Sequence, residues 1–172
     1  MADEVPRFLT TYADVLELLA VGAWVRFTEQ YSSTPRLFEK LAGTKTERRT
    51  LAPYRTFLEM HDGDRCFYCN AAADGSWAVD HFLPWSFVYE DRVWNLVLAC
   101  GACNSRKSDA IPSSSAVDRL LSRNQRLLSL PSDPMSSRAR SDFKEWRYRD
   151  LDAHIRQLHA TASSEGFPAW PD

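Results

Sequence analysis

The four cysteines of the chain form two Cys-x-x-Cys pairs, Cys66/Cys69 and Cys100/Cys103, with none left over. A two-residue spacer lets both sulfurs of a pair face one ion from a tight turn. Two such turns complete a tetrahedron of thiolates about 2.3 Å from a zinc ion. In a reducing compartment this usage reads as metal ligation rather than disulfide bonding. Thirty residues separate the pairs, more than a compact zinc ribbon needs, so other structure must be folded between them. The ion is a staple, and the reactive groups lie elsewhere. Between the staples run Val79-Asp80-His81-Phe82-Leu83-Pro84-Trp85-Ser86 and Trp94-Asn95-Leu96-Val97-Leu98-Ala99-Cys100, and the second pair leads straight into Cys103-Asn104-Ser105-Arg106-Lys107-Ser108-Asp109. Singly, Asp-His is an ordinary turn dipeptide, Asn-Leu a capping asparagine and Asn-x-x-Lys a solvated helix start. Their ordered conjunction inside a thiolate frame is specific.

In this order and spacing, the Asp-His-hydrophobic-x-Pro, Asn-Leu and Cys-Asn-x-x-Lys elements resemble the HNH nuclease family, also called ββα-metal nucleases. Many of its members carry two Cys-x-x-Cys pairs flanking the site. The resemblance covers about Cys66 to Asp109, a quarter of the chain, and the same run is similar to the HNH domain of CRISPR effector nucleases. It implies a metal-dependent endonuclease that hydrolyses DNA phosphodiester bonds, leaving 3′-hydroxyl and 5′-phosphate ends. Such hydrolysis needs a water made nucleophilic and charge neutralised on the phosphoryl and leaving oxygens. His81 suits the part of general base, since an imidazole pKa of ~6.5 lies near working pH. The resemblance assigns Asp80 and the side-chain oxygen of Asn104 as ligands of a hard divalent cation, and Asn95 as the support of the loop that carries His81. Ser108 stands where some members add a histidine ligand, which favours Mg²⁺ or Mn²⁺ over a softer metal. Arg106 and Lys107 read either as phosphate contacts at a helix start or as a solvated basic face. Phe82, Trp85, Phe87 and Trp94 read as packing rather than base-stacking platforms.

These assignments set a demand on the elements beneath them. Neighbouring strand residues point to opposite faces, so Asp80 and His81 serve one site only from a bulge, a twist or a strand end. Residues 77–83 and 94–99 read as strands, and a helix is expected from Cys103 or Asn104 past Lys107. Residues 12–30 read as a helix with an apolar stripe of Val15, Leu18, Leu19 and Val25. Ser32-Ser33-Thr34-Pro35 starts a short helix through Leu41. Thr46 opens another helical pattern, with Leu51, Tyr54, Leu58 and Met60 buried and Pro53 bending or delaying it. Residues 113–130 form a helix with Val117, Leu120, Leu121, Leu127 and Leu128 on one side, and residues 134–161 a longer one through Phe143, Trp146, Leu151, Ile155 and Leu158. Residues 166–172 read as a loose tail. The expected class is α+β: a small ββα-metal core with structural zinc at 63–110, flanked by helical segments at 1–62 and 111–172, the whole one interleaved domain.

Composition permits this and excludes little. The 172 residues are 44% hydrophobic and 26% charged, ordinary for a globular protein. The apolar stretch from Val15 to Val25, broken by Glu17, is too short to cross a bilayer. The opening MADEVPRF lacks a signal peptide's basic start, so a cytoplasmic protein without a membrane partner is expected. The net charge is −2, but residues 101–160 hold 11 basic against 7 acidic side chains, which permits phosphate binding. Three readings stay open: a free-standing DNA nuclease of restriction or phage defence, with RNA a further substrate; a nuclease subunit directed by a partner protein or guide complex, or a homo-oligomer, docked through the helical flanks; and a zinc nucleic-acid-binding module without catalysis. The third has no need of Asp80, His81 and Asn104. His61, His154 and His159 read as surface histidines.

Overall fold

Leu96–Ala99 is four apolar residues in a row, a pattern that suits a strand covered on both faces, and all four are buried. This strand, β2, pairs antiparallel with β1 (Ala78–His81), in the register Ala78↔Ala99, Val79↔Leu98, Asp80↔Val97 and His81↔Leu96. The computed structural model describes residues 4–28, 31–32, 34–41, 50–72, 77–130, 141–143, 146 and 150–170. The chain falls into two units, Met1–Glu47 and Arg48–Asp172.

In the second unit the hairpin is wrapped by helices. In α4 (Ala52–His61), Pro53 sits in the first turn, where a missing N–H costs no hydrogen bond, and Tyr54, Phe57 and Leu58 form the buried stripe. The proline therefore opens this helix instead of bending it. Leu51 is half-buried just before it, and Met60 is exposed on its outer side. The thiolate-rich loop follows, then β1, the single turn α5 (Trp85–Val88), a 3₁₀ turn (Val93–Asn95) and β2. The helix α6 (Gly101–Lys107) starts one turn-half earlier than expected, because Cys100 caps it: its sulfur accepts from the Cys103 N–H at 3.4 Å.

The helix α7 (Ser114–Leu128) is capped by Ser113 and buries Val117, Leu120, Leu121 and Leu127, while Leu128 is exposed. Its inner face also carries polar donors that periodicity did not mark. Arg123 donates to the carbonyls of Val93 (3.2 Å) and Leu96 (2.8 Å), and Asn124 donates to that of Trp94 (2.9 Å). These satisfy backbone acceptors at the start of β2 that no neighbouring strand reaches, as buried carbonyls require. Burial pushes the Arg123 guanidinium below its usual range, against the opposing pull of Asp62 at 3.6 Å.

Two expectations for the C-terminal segment are corrected. The last helix, α8, spans Leu151–Ser164 and is a separate element: Asp150 is its N-cap, accepting from the Ala153 N–H at 2.9 Å. A capping aspartate with extended backbone ends any continuous helix through that point. Residues 131–140 lie outside the described set. The segment after Gly166 is no loose tail. Ile111 donates to the Pro168 carbonyl and accepts from the Trp170 N–H, both at 2.8 Å, and Phe167 and Trp170 pack on Phe87 and Tyr68. Two apolar side chains, Phe167 and Trp170, find the core, and two backbone bonds fix the register.

The first unit holds α1 (Glu4–Thr11), which periodicity missed, α2 (Ala13–Thr28) and α3 (Leu37–Leu41). The expected stripe on α2 is not buried. Only Val25 is, whereas Val15, Leu18 and Leu19 are 55%, 57% and 64% exposed. The helix is apolar around most of its circumference, so α1 and the five residues of α3 cannot cover it. Among the described residues, no single helix is long and apolar enough to cross a membrane.

Candidate active site

The two cysteine turns meet where β2 runs into α6. Phe67 donates to the Leu98 carbonyl at 2.9 Å, and the Cys100 N–H points at the Cys66 sulfur at 3.3 Å. Asn70 closes the first turn with φ of 58°, a left-handed geometry asparagine tolerates. The sulfurs of Cys66, Cys69, Cys100 and Cys103 all lie within 4.8 Å of one another, and the Cys69–Cys100 pair is 3.9 Å apart. A tetrahedron with 2.3 Å metal–sulfur bonds has edges of about 3.8 Å, so the cage fits such an ion. Burial raises the Cys66 thiol, but the N–H groups of Cys100, Cys69 and Tyr68 more than offset it and bring it down to about 7. Cys103 is pushed up to about 12, by burial first and then by hydrogen bonds to the neighbouring sulfurs. A metal ion bound in such a cage must displace the protons that its thiols retain.

His81 is the last residue of β1, and the strand end answers the geometric demand raised by adjacent Asp80 and His81. Just beyond it, Phe82 donates to the Asn95 carbonyl at 2.7 Å. The Asn95 side chain clasps Leu83 twice, accepting its N–H and donating to its carbonyl, both at 2.9 Å. Asn95 is 1% exposed, so the amide is spent on holding this turn. Asp80, His81, Asp91, Asn104, Ser108 and Asp109 line one open cleft of about 390 Å³, with Leu51, Val79, Pro84 and Trp85 as its apolar wall. Asn104 and Ser108 are one turn apart on and after α6 and face it together. Ser108 holds φ of 47° and ψ of −125°, a strained backbone for a non-glycine residue at the cleft rim.

Asp80 is held asymmetrically. The Tyr68 hydroxyl donates to Oδ2 at 2.6 Å, and Lys107 Nζ lies 3.2 Å from the same oxygen. Both contacts fall on Oδ2, and the residue as a whole lines the cleft while 8% exposed. Burial, with Asp80's charge second, raises the Tyr68 phenol well above its usual range and keeps it a donor. The structure places Lys107 in the interior and not on a basic face: its side chain is fully buried, and Nζ also donates to the His81 carbonyl at 2.7 Å. Burial lowers its pKa, opposed by Asp80. One lysine thus ties α6 to both site residues of β1. Arg106 is exposed, its guanidinium 3.7 Å from the Cys103 sulfur. Phe82, Phe87 and Trp94 are core, and Trp85 is half-buried at the cleft wall.

Lys107→Met is expected to cost about 3–5 kcal/mol of stability in the zinc-loaded protein without added Mg²⁺ or Mn²⁺, because it strands a buried carboxylate beside a neutral chain. Urea denaturation measures it. A change below about 1 kcal/mol would show that the ammonium does not brace Asp80.

Periodicity and motifs did not single out Asp91, which bonds His81 Nε2 at 2.8 Å, nor Tyr68 and Asp109. His159 is tied to the Pro112 carbonyl, and His154 packs against Trp94 and Trp146, so neither joins the cleft. Residues 66–113 match the family model described as HNH endonuclease. The matched span takes in all four cysteines, Asp80, His81, Asn95 and Asn104. No curated protein matches the chain.

Proposed function

From an HNH endonuclease segment at residues 66–113 and four cysteines positioned to bind a metal, we propose that the protein hydrolyses DNA phosphodiester bonds. His81 is the general base, Asp80 and Asn104 hold one Mg²⁺ or Mn²⁺, and the four thiolates hold a structural Zn²⁺. One observation supports this above others: His81, Asp80 and Asn104 line a single open cleft. A zinc module that only bound nucleic acid would have no use for that conjunction.

The residues divide the work as follows. Asp80 and Asn104 offer hard oxygens that would hold the cation, and when bound it would supply neutralisation of charge on the phosphoryl and leaving oxygens. His81 takes the proton of a water whose oxygen forms the new bond to phosphorus. The P–O3′ bond breaks, and the departing 3′ oxygen gains a proton from solvent. Asn95 and Lys107 act on the backbone, keeping the turn after β1 and the carbonyl of His81 in place. Arg106, exposed in the last turn of α6, meets the phosphate backbone.

The purified, zinc-loaded chain is expected to relax or linearise supercoiled plasmid when Mg²⁺ is added and to leave it intact when Mg²⁺ is omitted. Single-stranded DNA and structured RNA run beside it decide the substrate class. Exposed Phe8, Leu9, Trp24 and Phe27 on α1 and α2 favour a second reading, in which a protein partner directs the nuclease. Cleavage by the chain alone sinks that second reading, and absence of cleavage on all three substrates sinks the free-standing enzyme.

A further inference from the structure

We propose that Asp91 is a positioning residue for His81: it holds Nε2 so that Nδ1 is the atom that takes the proton. This rests on the hydrolytic reading above. The Asp91 Oδ1 lies 2.8 Å from His81 Nε2, and both side chains are 14% exposed, sheltered yet on the cleft wall. An ionised carboxylate only accepts, so the hydrogen of a neutral ring in this pair sits on Nε2. That leaves the Nδ1 lone pair as the basic site, and among the described residues no group hydrogen-bonds it. The ring has two chemically distinct nitrogens, and the partner of one decides the work of the other.

Asp91 is itself braced from several sides, which separates it from an aspartate that meets a histidine by accident. Its backbone carbonyl accepts from the Tyr54 hydroxyl of α4 at 2.9 Å. The next residue, Arg92, donates to Glu90 and to Asp142, both at 3.2 Å, and the Val93 N–H donates to Asp142 at 3.0 Å. On the other side Tyr89 turns the chain with φ of 55°. The loop is fastened to a helix, to a buried carboxylate and to a tight turn, and the one side chain it extends to His81 is Asp91. A carboxylate at Nε2 also faces the positive charge the ring gains on accepting a proton. The logic is that of a base oriented by a third group, here with the nucleophile a water.

The test is kinetic and spectroscopic, on the full zinc-loaded chain with plasmid and Mg²⁺. Asp91→Ala is expected to lower kcat about 100-fold with KM within about 3-fold of wild type. Asp91→Asn, which keeps the shape and an oxygen acceptor but lacks the charge, is expected to fall between the two, as is Asp91→Glu. In wild type, the proton on His81 Nε2 is expected as a far-downfield, slowly exchanging resonance, assigned by its loss in His81→Ala; Asp91→Ala should abolish it. A mere loop tie would shift melting and leave kcat and the turnover split alone. Wild-type kcat in both Asp91→Ala and Asp91→Asn, or persistence of the resonance in Asp91→Ala, overturns the proposal. If the wild-type chain cuts nothing, the hydrolytic reading fails by itself, and the resonance still decides whether Asp91 holds the ring.

Discussion

His81→Ala is expected to lower Mg²⁺-dependent cleavage by about 10³-fold, the middle of the range that a positioned general base supplies, while fold and metal content stay as in wild type. The clean separation follows from what His81 does for the structure. Its contributions to the fold are made by its backbone: the residue pairs with Leu96 across the hairpin, and its carbonyl accepts from Lys107 Nζ. Both survive truncation at Cβ. The imidazole lies on the cleft wall and, among the described residues, bonds Asp91 alone, which can hydrate in its place. The four-cysteine cage lies at the other end of the hairpin, beside Ala99. Plasmid cleavage, zinc analysis and thermal melting on the same preparation check the three parts of the expectation. A variant that cuts within about 10-fold of wild type would remove His81 from the proton transfer. A variant that neither cuts nor folds would place the residue in the architecture.

The parts of this site legible in the sequence are those whose chemistry is local. A Cys-x-x-Cys turn is a complete geometric instruction, and the interval between two of them announces that something is enclosed. Asp80, His81, Asn95 and Asn104 lie within that interval or at its border, and all but the buried Asn95 line the cleft. What stayed hidden depends on closure of loops. Asp91 reaches His81 across nine intervening residues without regular period, in a loop held by Tyr54 and Asp142 from two distant segments. No spacing encodes that. Lys107 is different: it stands one helical turn after Cys103, so a zinc ligand on the inner face of α6 already placed the lysine inward. Charge suggested phosphate, whereas position called for a buried partner, and position prevailed because Asp80 was there to receive it. In the first unit the error ran the other way. Apolar residues at helical spacing mark a stripe on α2, yet spacing alone does not say whether anything packs against it, and only Val25 is buried. Trp170 and Phe167 show the reverse, a segment with two prolines that docks because the core offers Tyr68 and Phe87.

Removal of zinc is expected to unfold the second unit at room temperature, or to lower its melting point by more than 20 °C. The cage is part of the core: Cys66 and Cys103 are 2% and 1% exposed and pack among the residues of β2 and α6. The first cysteine turn is joined to the hairpin by one backbone bond to Leu98, by the Cys100 N–H on the Cys66 sulfur and by the Tyr68 hydroxyl on Asp80, and the metal would add four bonds to these. A structural zinc contributes an apparent ~10–16 kcal/mol at neutral pH, which matches or exceeds the ~5–15 kcal/mol net stability of a whole domain. Protons compete with the metal for the same sulfurs. Cys103, held up at about 12 without metal, must surrender its proton when zinc binds at pH 7, and Cys66, at about 7, surrenders part of one. Zinc uptake therefore releases protons, and zinc affinity falls as pH falls, so the loss of structure under a fixed chelator moves to lower chelator concentration on acidification. Melting curves with and without a zinc chelator, at two pH values and with metal analysis of each sample, measure this. Cys66→Ser, which puts a poor ligand at a buried corner of the cage, should reproduce the chelated state, and Cys69→Ser, at the exposed corner, should fall short of it. A protein that loses its zinc with a melting shift below about 5 °C would show that the hairpin and α6 hold the cleft without the staple. In that case the cysteine pairs would need another reason to be there.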